Sequence, residues 1–322
     1  MDKVRIGLVG TGYIGNVHGR IFSRDERVEI AALYDIVPER AEQTAKTIGG
    51  KVCGSRDELL ENCDAVLVCA PNNTHMEIAL HAIAEGKHVF CEKPFAIGID
   101  DAAELRDAAN GGKGIFQVGH NRRYAPVYAS LKRLLSEDKA HSAHIKMNRG
   151  ELKNPPWTGD VNVTGGFLYE TTIHLFDMAR FQFGEIEELV AYGSQHEYPE
   201  IDEFSIIFKF KNGFHCTFAS SSDASWHFPF ERIEVFCHHR TIMTEEMERL
   251  FDSRGMDANF ETLSFHMAEK EEKWGYAQED RAFIDSILNG TQPPVTADDG
   301  FKSVELVESV YKAIRTGEKV RF

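Results

Sequence analysis

Short apolar runs alternate with longer amphipathic stretches through the first 120 residues. Val4–Val9 is a β-branched run that ends in glycine, and Tyr13–Ser23 reads as a helix. Val28–Tyr34 is a second apolar run. Pro38–Ile48 is a second helix with its proline in the first turn. A weak third strand falls near residues 51–53. Residues 65–70 (AVLVCA) are apolar without a break, as in a strand covered on both faces of a parallel sheet. A helix over 74–85 stops at Gly86. Strands over 88–91 and 115–118 flank a helix over 100–110. Strand and helix in strict alternation predict βαβ units, and right-handed crossovers make them a doubly wound parallel sheet.

After about Arg123 the rhythm changes. Helices are expected over 124–135 and, without interruption, over 166–181. A strand is expected over 142–149, and strands dominate from 188 to 236. Residues 203–211 alternate apolar and polar. Asn212-Gly213 then supplies a two-residue hairpin signal before Phe214 to Phe218 return. Helices over 278–288 and 301–315 close the chain. The prediction is an α/β domain over 1–122 followed by an α+β domain over 123–322, the latter on a largely antiparallel open sheet.

Composition narrows the chemistry. The 322 residues allow two domains, and 42% hydrophobic with 27% charged residues is globular usage. Lys and Arg total 36 against 51 Asp and Glu, a formal charge of −15. That field repels phosphate backbones and anionic lipid, so neither nucleic acid nor membrane is an expected partner. The six cysteines are scattered, without a Cys-x-x-Cys pair, and several sit inside apolar runs. With no basic segment leading into a long apolar core at the N-terminus, the expectation is a cytoplasmic protein with reduced thiols.

Gly10-Thr11-Gly12-Tyr13-Ile14-Gly15 follows the first strand and opens the first helix. G-x-G-x-x-G in that setting gives a tight turn, close backbone approach to a pyrophosphate, and tight helix–strand packing. The helix N-terminus offers N–H groups and the positive end of its dipole to the phosphates. Asp35 closes the second strand, twenty residues after Gly15, where a carboxylate accepts hydrogen bonds from an adenosine ribose. A 2′-phosphate would be repelled, and the neighbouring Ile36 offers no cation. The cofactor expected is NAD, on a Rossmann domain. Ala70, Pro71, Asn72 and His75, after the fourth strand, should lie along it.

Glu92-Lys93-Pro94 ends the fifth strand, and open parallel sheets bind ligands beyond the carboxyl ends of their strands. Pro94 restricts Lys93 to an extended backbone. From position alone a solvated lysine is the commoner case. Glu170 and His174, four residues apart in an expected helix behind Gly165-Gly166, share a face. Without context the commoner reading is a solvated glutamate and a satisfied histidine; the need of a cofactor-binding crevice for acid–base groups from the second half of the chain reverses that preference. Asp177 reads as structural. Trp157, in the stiff Asn154-Pro155-Pro156-Trp157 loop, could stack on a sugar or pack the loop down.

The glycine loop, Glu92-Lys93-Pro94, Gly119-His120-Asn121-Arg122-Arg123-Tyr124 and Gly165-Gly166…Glu170…His174 occur in this order, and together they resemble the Gfo/Idh/MocA family of sugar and polyol oxidoreductases. The resemblance spans nearly the whole chain. It implies a catalytic lysine at Lys93, in a family that often holds this Lys–Pro peptide in cis. It implies His174 as the group that exchanges the substrate's hydroxyl proton. Glu170 stands where the family usually has aspartate, one methylene shorter, and would contact substrate or orient His174.

The activity expected is NAD-dependent hydride transfer from a secondary hydroxyl of a sugar, cyclitol such as an inositol, or related polyol. Lys93, Trp157, Glu170 and His174 would meet substrate. The glycine loop, Asp35, residues 70–72, His75, Glu92, Lys93 and Arg122 would meet cofactor. An NAD-dependent glycosidase using transient oxidation and a non-enzymatic NAD-bound regulator are the competing classes. No metal is expected: His215-Cys216 and Cys237-His238-His239 lack zinc spacing, and strand neighbours point apart. Five phenylalanines, Phe204, Phe208, Phe210, Phe214 and Phe218, crowd one hairpin. Either all the rings are intramolecular core, or the open sheet has a spare apolar face that another subunit covers; the second is preferred, and hence a dimer or tetramer.

Overall fold

A computed structural model describes residues 3–150, 155–226, 230–256 and 259–322. The chain forms two compact units. One takes in residues up to His120 together with Tyr276–Val304, and the other Asn121–Gly275 and Glu305–Phe322. The boundary at His120 lies beside the cut expected after residue 122. The return of Tyr276–Val304 to the first unit was not expected, and it divides the helix Ala297–Thr316.

The first unit is built on β1 (Val4–Val9), β2 (Val28–Tyr34), β3 (Lys51–Val52), β4 (Ala65–Val68), β5 (His88–Glu92) and β6 (Phe116–Gly119). All pairs are parallel, in the order β3-β2-β1-β4-β5-β6. This is the doubly wound order with its crevice at the β1/β4 switch point. The β4 sequence is wholly apolar because both faces are covered, and every residue of it is buried. Phe283 and Ile284, on the helix Tyr276–Asn289, complete the core around Phe90, with the Phe90 and Phe283 rings 5.7 Å apart. One helix, Arg56–Glu61, was not expected.

The second unit carries β7 (Ser142–Asn148), β8 (Ile186–Ser194), β9 (Glu203–Phe210), β10 (His215–Ser221), β11 (Glu231–Cys237), β12 (Arg240–Glu245), β13 (Arg249–Arg254), β14 (Glu261–Ser264) and β15 (Val320–Arg321). They form one nine-stranded sheet in the order β14-β13-β12-β11-β7-β10-β9-β8-β15. Every pair is antiparallel except β7 with β10. The turn between β9 and β10 is longer than the two-residue hairpin expected. Only Gly213 takes a positive φ there, and Asn212 caps the loop by accepting from Phe214 N–H at 3.0 Å.

The five phenylalanines are all buried on one side of this sheet. Phe176 of the helix Ile173–Phe183 meets Phe208 at 5.7 Å and Phe218 at 5.1 Å, and Phe183 stacks on Phe214 at 4.3 Å. The rings are intramolecular core, which corrects the expectation that they leave an apolar face bare. The other face carries His144, Lys146, Arg232 and Glu234 around Ile207 and Tyr192, which are 54% and 74% exposed. Among the described residues no helix is long and apolar enough to cross a membrane.

Candidate active site

At the end of β1 the chain turns at Gly10, whose φ is +89°. A Cβ there would lie 2.6 Å from the carbonyl of Cys69, and one on Gly15 would lie 2.0 Å from the carbonyl oxygen of Gly10. Backbone blocks both positions, so only glycine fits. Gly12 differs: it heads the helix Tyr13–Ser23, no side chain caps it, and a Cβ there would meet nothing within 4 Å. The open positive end of a helix over three glycines is a cradle for a pyrophosphate. The residues thus fit a dinucleotide.

Asp35 follows β2 and is turned back onto this loop. Its Oδ2 accepts from Thr11 N–H at 2.8 Å and from Thr11 Oγ1 at 2.9 Å, while Oδ1 accepts from Val37 N–H at 2.9 Å. The expected ribose acid therefore also ties the glycine turn to the second strand. Beyond β4, Ala70 and Pro71 are half-buried and Asn72 is buried in a short turn, Asn72–Thr74. His75 is buried as well. Its Nδ1 lies 2.7 Å from the Pro94 carbonyl and its Nε2 2.7 Å from the Ala70 carbonyl, so it staples the loop after β4 to the loop after β5. Burial pulls its pKa below the usual histidine value, against the two carbonyl contacts.

Lys93 is half-buried at the carboxyl end of β5, and the Lys93–Pro94 peptide is cis. Glu92, expected beside the cofactor, is buried. Its Oε2 accepts from Lys93 N–H at 3.0 Å, and its Oε1 lies 3.0 Å from Nε2 of His18.

In the second unit the continuous helix expected over 166–181 is two pieces. Leu168–Thr172 is a π-helical turn, and the α-helix begins at Ile173. Glu170 lies in the wider turn and His174 in the first turn of the α-helix, both half-buried, with Tyr169, Thr171, Ile173 and Leu175 buried around them. Isolated π turns inside helices recur at functional sites, because the extra residue re-aims the side chains around it. Asp177, as expected, is structural: it takes a two-pronged pair from Arg123, at 2.8 and 2.6 Å. Arg122, expected at the cofactor, has Nε and Nη2 on Glu231 Oε2, at 2.9 and 2.7 Å. That buried pair is extended by Tyr128, whose hydroxyl donates to Glu231 Oε1 at 2.6 Å. Trp157 is half-buried in the turn Pro156–Gly159, and Asn154 lies outside the described residues.

Residues 4–120 match the family model described as "Oxidoreductase family, NAD-binding Rossmann fold", and residues 138–243 match the "GFO/IDH/MocA C-terminal domain". The chain belongs to the Gfo/Idh/MocA family. As a member it is a nicotinamide-dependent dehydrogenase, and residues 4–120 of its first unit are the family's NAD-binding domain. It is 29% identical to a myo-inositol 2-dehydrogenase of Thermotoga maritima, over 99% of this chain and 98% of that one. It is 26% identical to an inositol 2-dehydrogenase of Rhizobium meliloti, over 97% of each. A crystal structure of a probable dehydrogenase from Thermotoga maritima superposes with a TM-score of 0.83 at 27% identity, over 99% of this chain and 98% of that one.

Sequence reasoning did not identify the partners that hold these groups. His18 lies 74 residues from Glu92, Asp280 262 from His18 and Glu231 109 from Arg122, too far apart for any local pattern to pair them.

Proposed function

We propose that the protein moves a hydride between a secondary hydroxyl of a cyclitol, sugar or related polyol and NAD, in preference to NADP. The observation that carries this reading is the glycine cradle with Asp35 bound into it, in the same unit as Lys93 at the end of β5. The nicotinamide ring, when bound, accepts the hydride. The protein's own work is alignment and proton transfer. His174 takes the hydroxyl proton, and the Lys93 ammonium hydrogen-bonds that oxygen as charge develops on it. Glu170 orients the substrate or His174, and Trp157 meets the substrate. Asp35 holds the adenosine ribose and disfavours a 2′-phosphate, with Ile36 beside it instead of a cation. The inositol dehydrogenases among the relatives support a cyclitol as the first substrate to try.

The test is a panel of cyclitols, aldoses and sugar derivatives, each with NAD+ and with NADP+, followed at 340 nm. Reduction of NAD+ by at least one secondary alcohol is expected. Sugar release without net NADH would point to a glycosidase instead, and faster reaction with NADP+ would refute the role of Asp35.

The outer face of the nine-stranded sheet, with Tyr192 and Ile207 exposed, supports a homo-oligomer, a dimer or tetramer. Sedimentation at micromolar concentration should show more than the 36.3 kDa of one chain, and Ile207→Glu should lower the mass. A monomeric wild type removes the proposal. Six cysteines, all buried free thiols, support a cytoplasmic protein.

A further inference from the structure

A buried charge network adjoins Lys93, and no step of the proposed reaction uses it. Glu92 joins the Lys93 amide on one side to His18 Nε2 on the other. The second ring nitrogen of His18, Nδ1, lies 2.7 Å from Asp280 Oδ1, on the helix Tyr276–Asn289. His18 is 0% exposed and Asp280 1%. Phe90 packs on the imidazole at 5.0 Å and Tyr276 meets it edge-on at 5.6 Å. On β6, a Cβ at Gly119 would stand 3.0 Å from Cδ of Glu92, so the glutamate lies against bare backbone there.

With both carboxyl groups ionised, each facing oxygen accepts, each ring nitrogen donates, and the ring carries both protons. Burial opposes that charge, but Asp280 and Glu92 together outweigh it and hold His18 well above the usual histidine range. Burial also works to raise Glu92, yet the hydrogen bond and charge of His18, with Lys93, bring it below the usual range. Burial pushes Asp280 up, against the charge and hydrogen bond of His18, which favour its ionised form as they favour that of Glu92. Glu279 brings a third ligand-type group, with atoms of His18, Glu92 and Glu279 all within 4.8 Å of one another. The trio resembles a cation site in residue type. While Nε2 donates to Glu92, however, it has no lone pair for a metal.

We propose that His18 is a positioning residue for Lys93: gripped by Asp280, its ring holds Glu92 under the Lys93 amide and keeps a counter-charge beside the lysine. This rests on Lys93 taking part in the reaction. The groups that face the pair are Asp280, Glu279 and Tyr276 from the helix, Cys91 from β5, Lys93 just beyond it, and Cys69 and His75 beyond β4; Arg281 bears on Asp280.

The variants are His18→Gln, Asp280→Asn, Glu92→Gln and the double His18→Gln/Glu92→Gln. The first measurement needs no substrate: amide hydrogen exchange of the full chain with NADH. Lys93 should exchange at least tenfold faster in His18→Gln and in Asp280→Asn, while Leu67 in β4 stays protected. An unchanged Lys93 amide overturns the proposal, whatever the protein oxidises. Asp280→Asn keeps the ring and removes only its grip, so it decides the matter should His18→Gln fail to fold.

The second measurement uses NAD+ and the alcohol selected by the panel. His18→Gln should lower kcat by about 10²-fold, the scale of a roughly 1 Å misplacement, with NAD+ affinity within about threefold of wild type. Glu92 without its cation takes up a proton at higher pH, so the acid limb of the kcat profile should move up in His18→Gln. That moved limb should be missing from the double variant, whose loss should not exceed that of the worse single variant by more than about threefold. A loss without any movement of the limb makes His18 merely structural and overturns the proposal. So does a stoichiometric divalent metal in the purified wild type that His18→Gln loses. A wild type inactive on the whole panel defeats the proposed function, and the exchange measurement then decides the positioning on its own.

Discussion

Replacing Asp35 by Asn separates the tie to the glycine loop that the structure shows from the ribose contact proposed for that residue. The carboxylate accepts two backbone N–H groups through different oxygens, Thr11 on Oδ2 and Val37 on Oδ1. An amide of the same shape has one acceptor. Whichever way it turns, its NH2 faces one of those N–H groups, donor against donor. The Thr11 hydroxyl can reverse and accept, but a backbone N–H cannot. One N–H therefore loses its partner at a site 9% exposed, which costs about 1–3 kcal/mol. Thermal melting of the protein without nucleotide should show that loss. Binding should fall as well, because a charge-assisted hydrogen bond to the ribose is worth roughly 1.5–3 kcal/mol, or about 10- to 100-fold in Kd. Titration with NAD+ and NADP+ should show NAD+ weakened by that factor and NADP+ weakened less. A variant with wild-type melting and NAD+ affinity within twofold would refute both tasks. Weaker NAD+ binding at unchanged melting would refute the tie to the glycine loop alone.

Removing His174 as alanine should lower kcat by about 10²–10⁴-fold with cofactor affinity nearly intact, and the loss should ease at high pH, where solvent takes the hydroxyl proton more readily. Lys93→Met should lower kcat without that recovery, so equal and pH-independent losses in the pH–rate profiles would deny the division of labour. Glu231→Leu should destabilise the second unit by about 3–5 kcal/mol in urea unfolding, since it strands Arg122 in a buried position; a change under 1 kcal/mol would contradict the pair. Burial pushes Glu200, which accepts from Phe167 N–H, up to about 7. A carboxyl group raised on folding favours the folded state while protonated, so its contribution is present at low pH and is lost as pH rises toward and through about 7. The melting temperature of Glu200→Gln relative to wild type should therefore rise between pH 5 and 8, and a constant difference would be inconsistent with a titrating Glu200.

The strands of the first unit were legible because burial on both faces leaves no choice of residue: Ala65–Val68 is apolar at every position. The glycine turn was legible because backbone crowding at Gly10 and Gly15 excludes every other side chain. The helix Arg56–Glu61 left a signal that went unread. Ser55 and Glu58 form Ser-x-x-Glu, and Ser55 does accept from Glu58 N–H. The placing of the phenylalanines was also readable. Along β9 the even positions, Phe204, Ile206, Phe208 and Phe210, are all inward, as a period of two requires. Counting rings without their alternation gave the wrong face. The π turn at Leu168–Thr172 was not legible, since a single inserted residue barely disturbs a helical pattern. Nor were the partners of Arg122 and Glu92, which depend on tertiary contacts across the chain.

The return of Tyr276–Val304 to the first unit orders events on the ribosome. The first six strands leave the exit tunnel early, but Phe283, Ile284 and Asp280, which cover Phe90 and His18, follow only after the whole of 121–275. At 5–20 residues per second that is a delay of roughly 8–30 s, far longer than collapse of a small domain needs. Throughout it the nascent nucleotide-binding sheet stands with one flank of its core open and the imidazole of His18 held from one side only. Completion of the cofactor domain is thus tied to synthesis of the other unit. A chain truncated at residue 122 would carry every glycine of the phosphate loop and still lack part of the wall behind it.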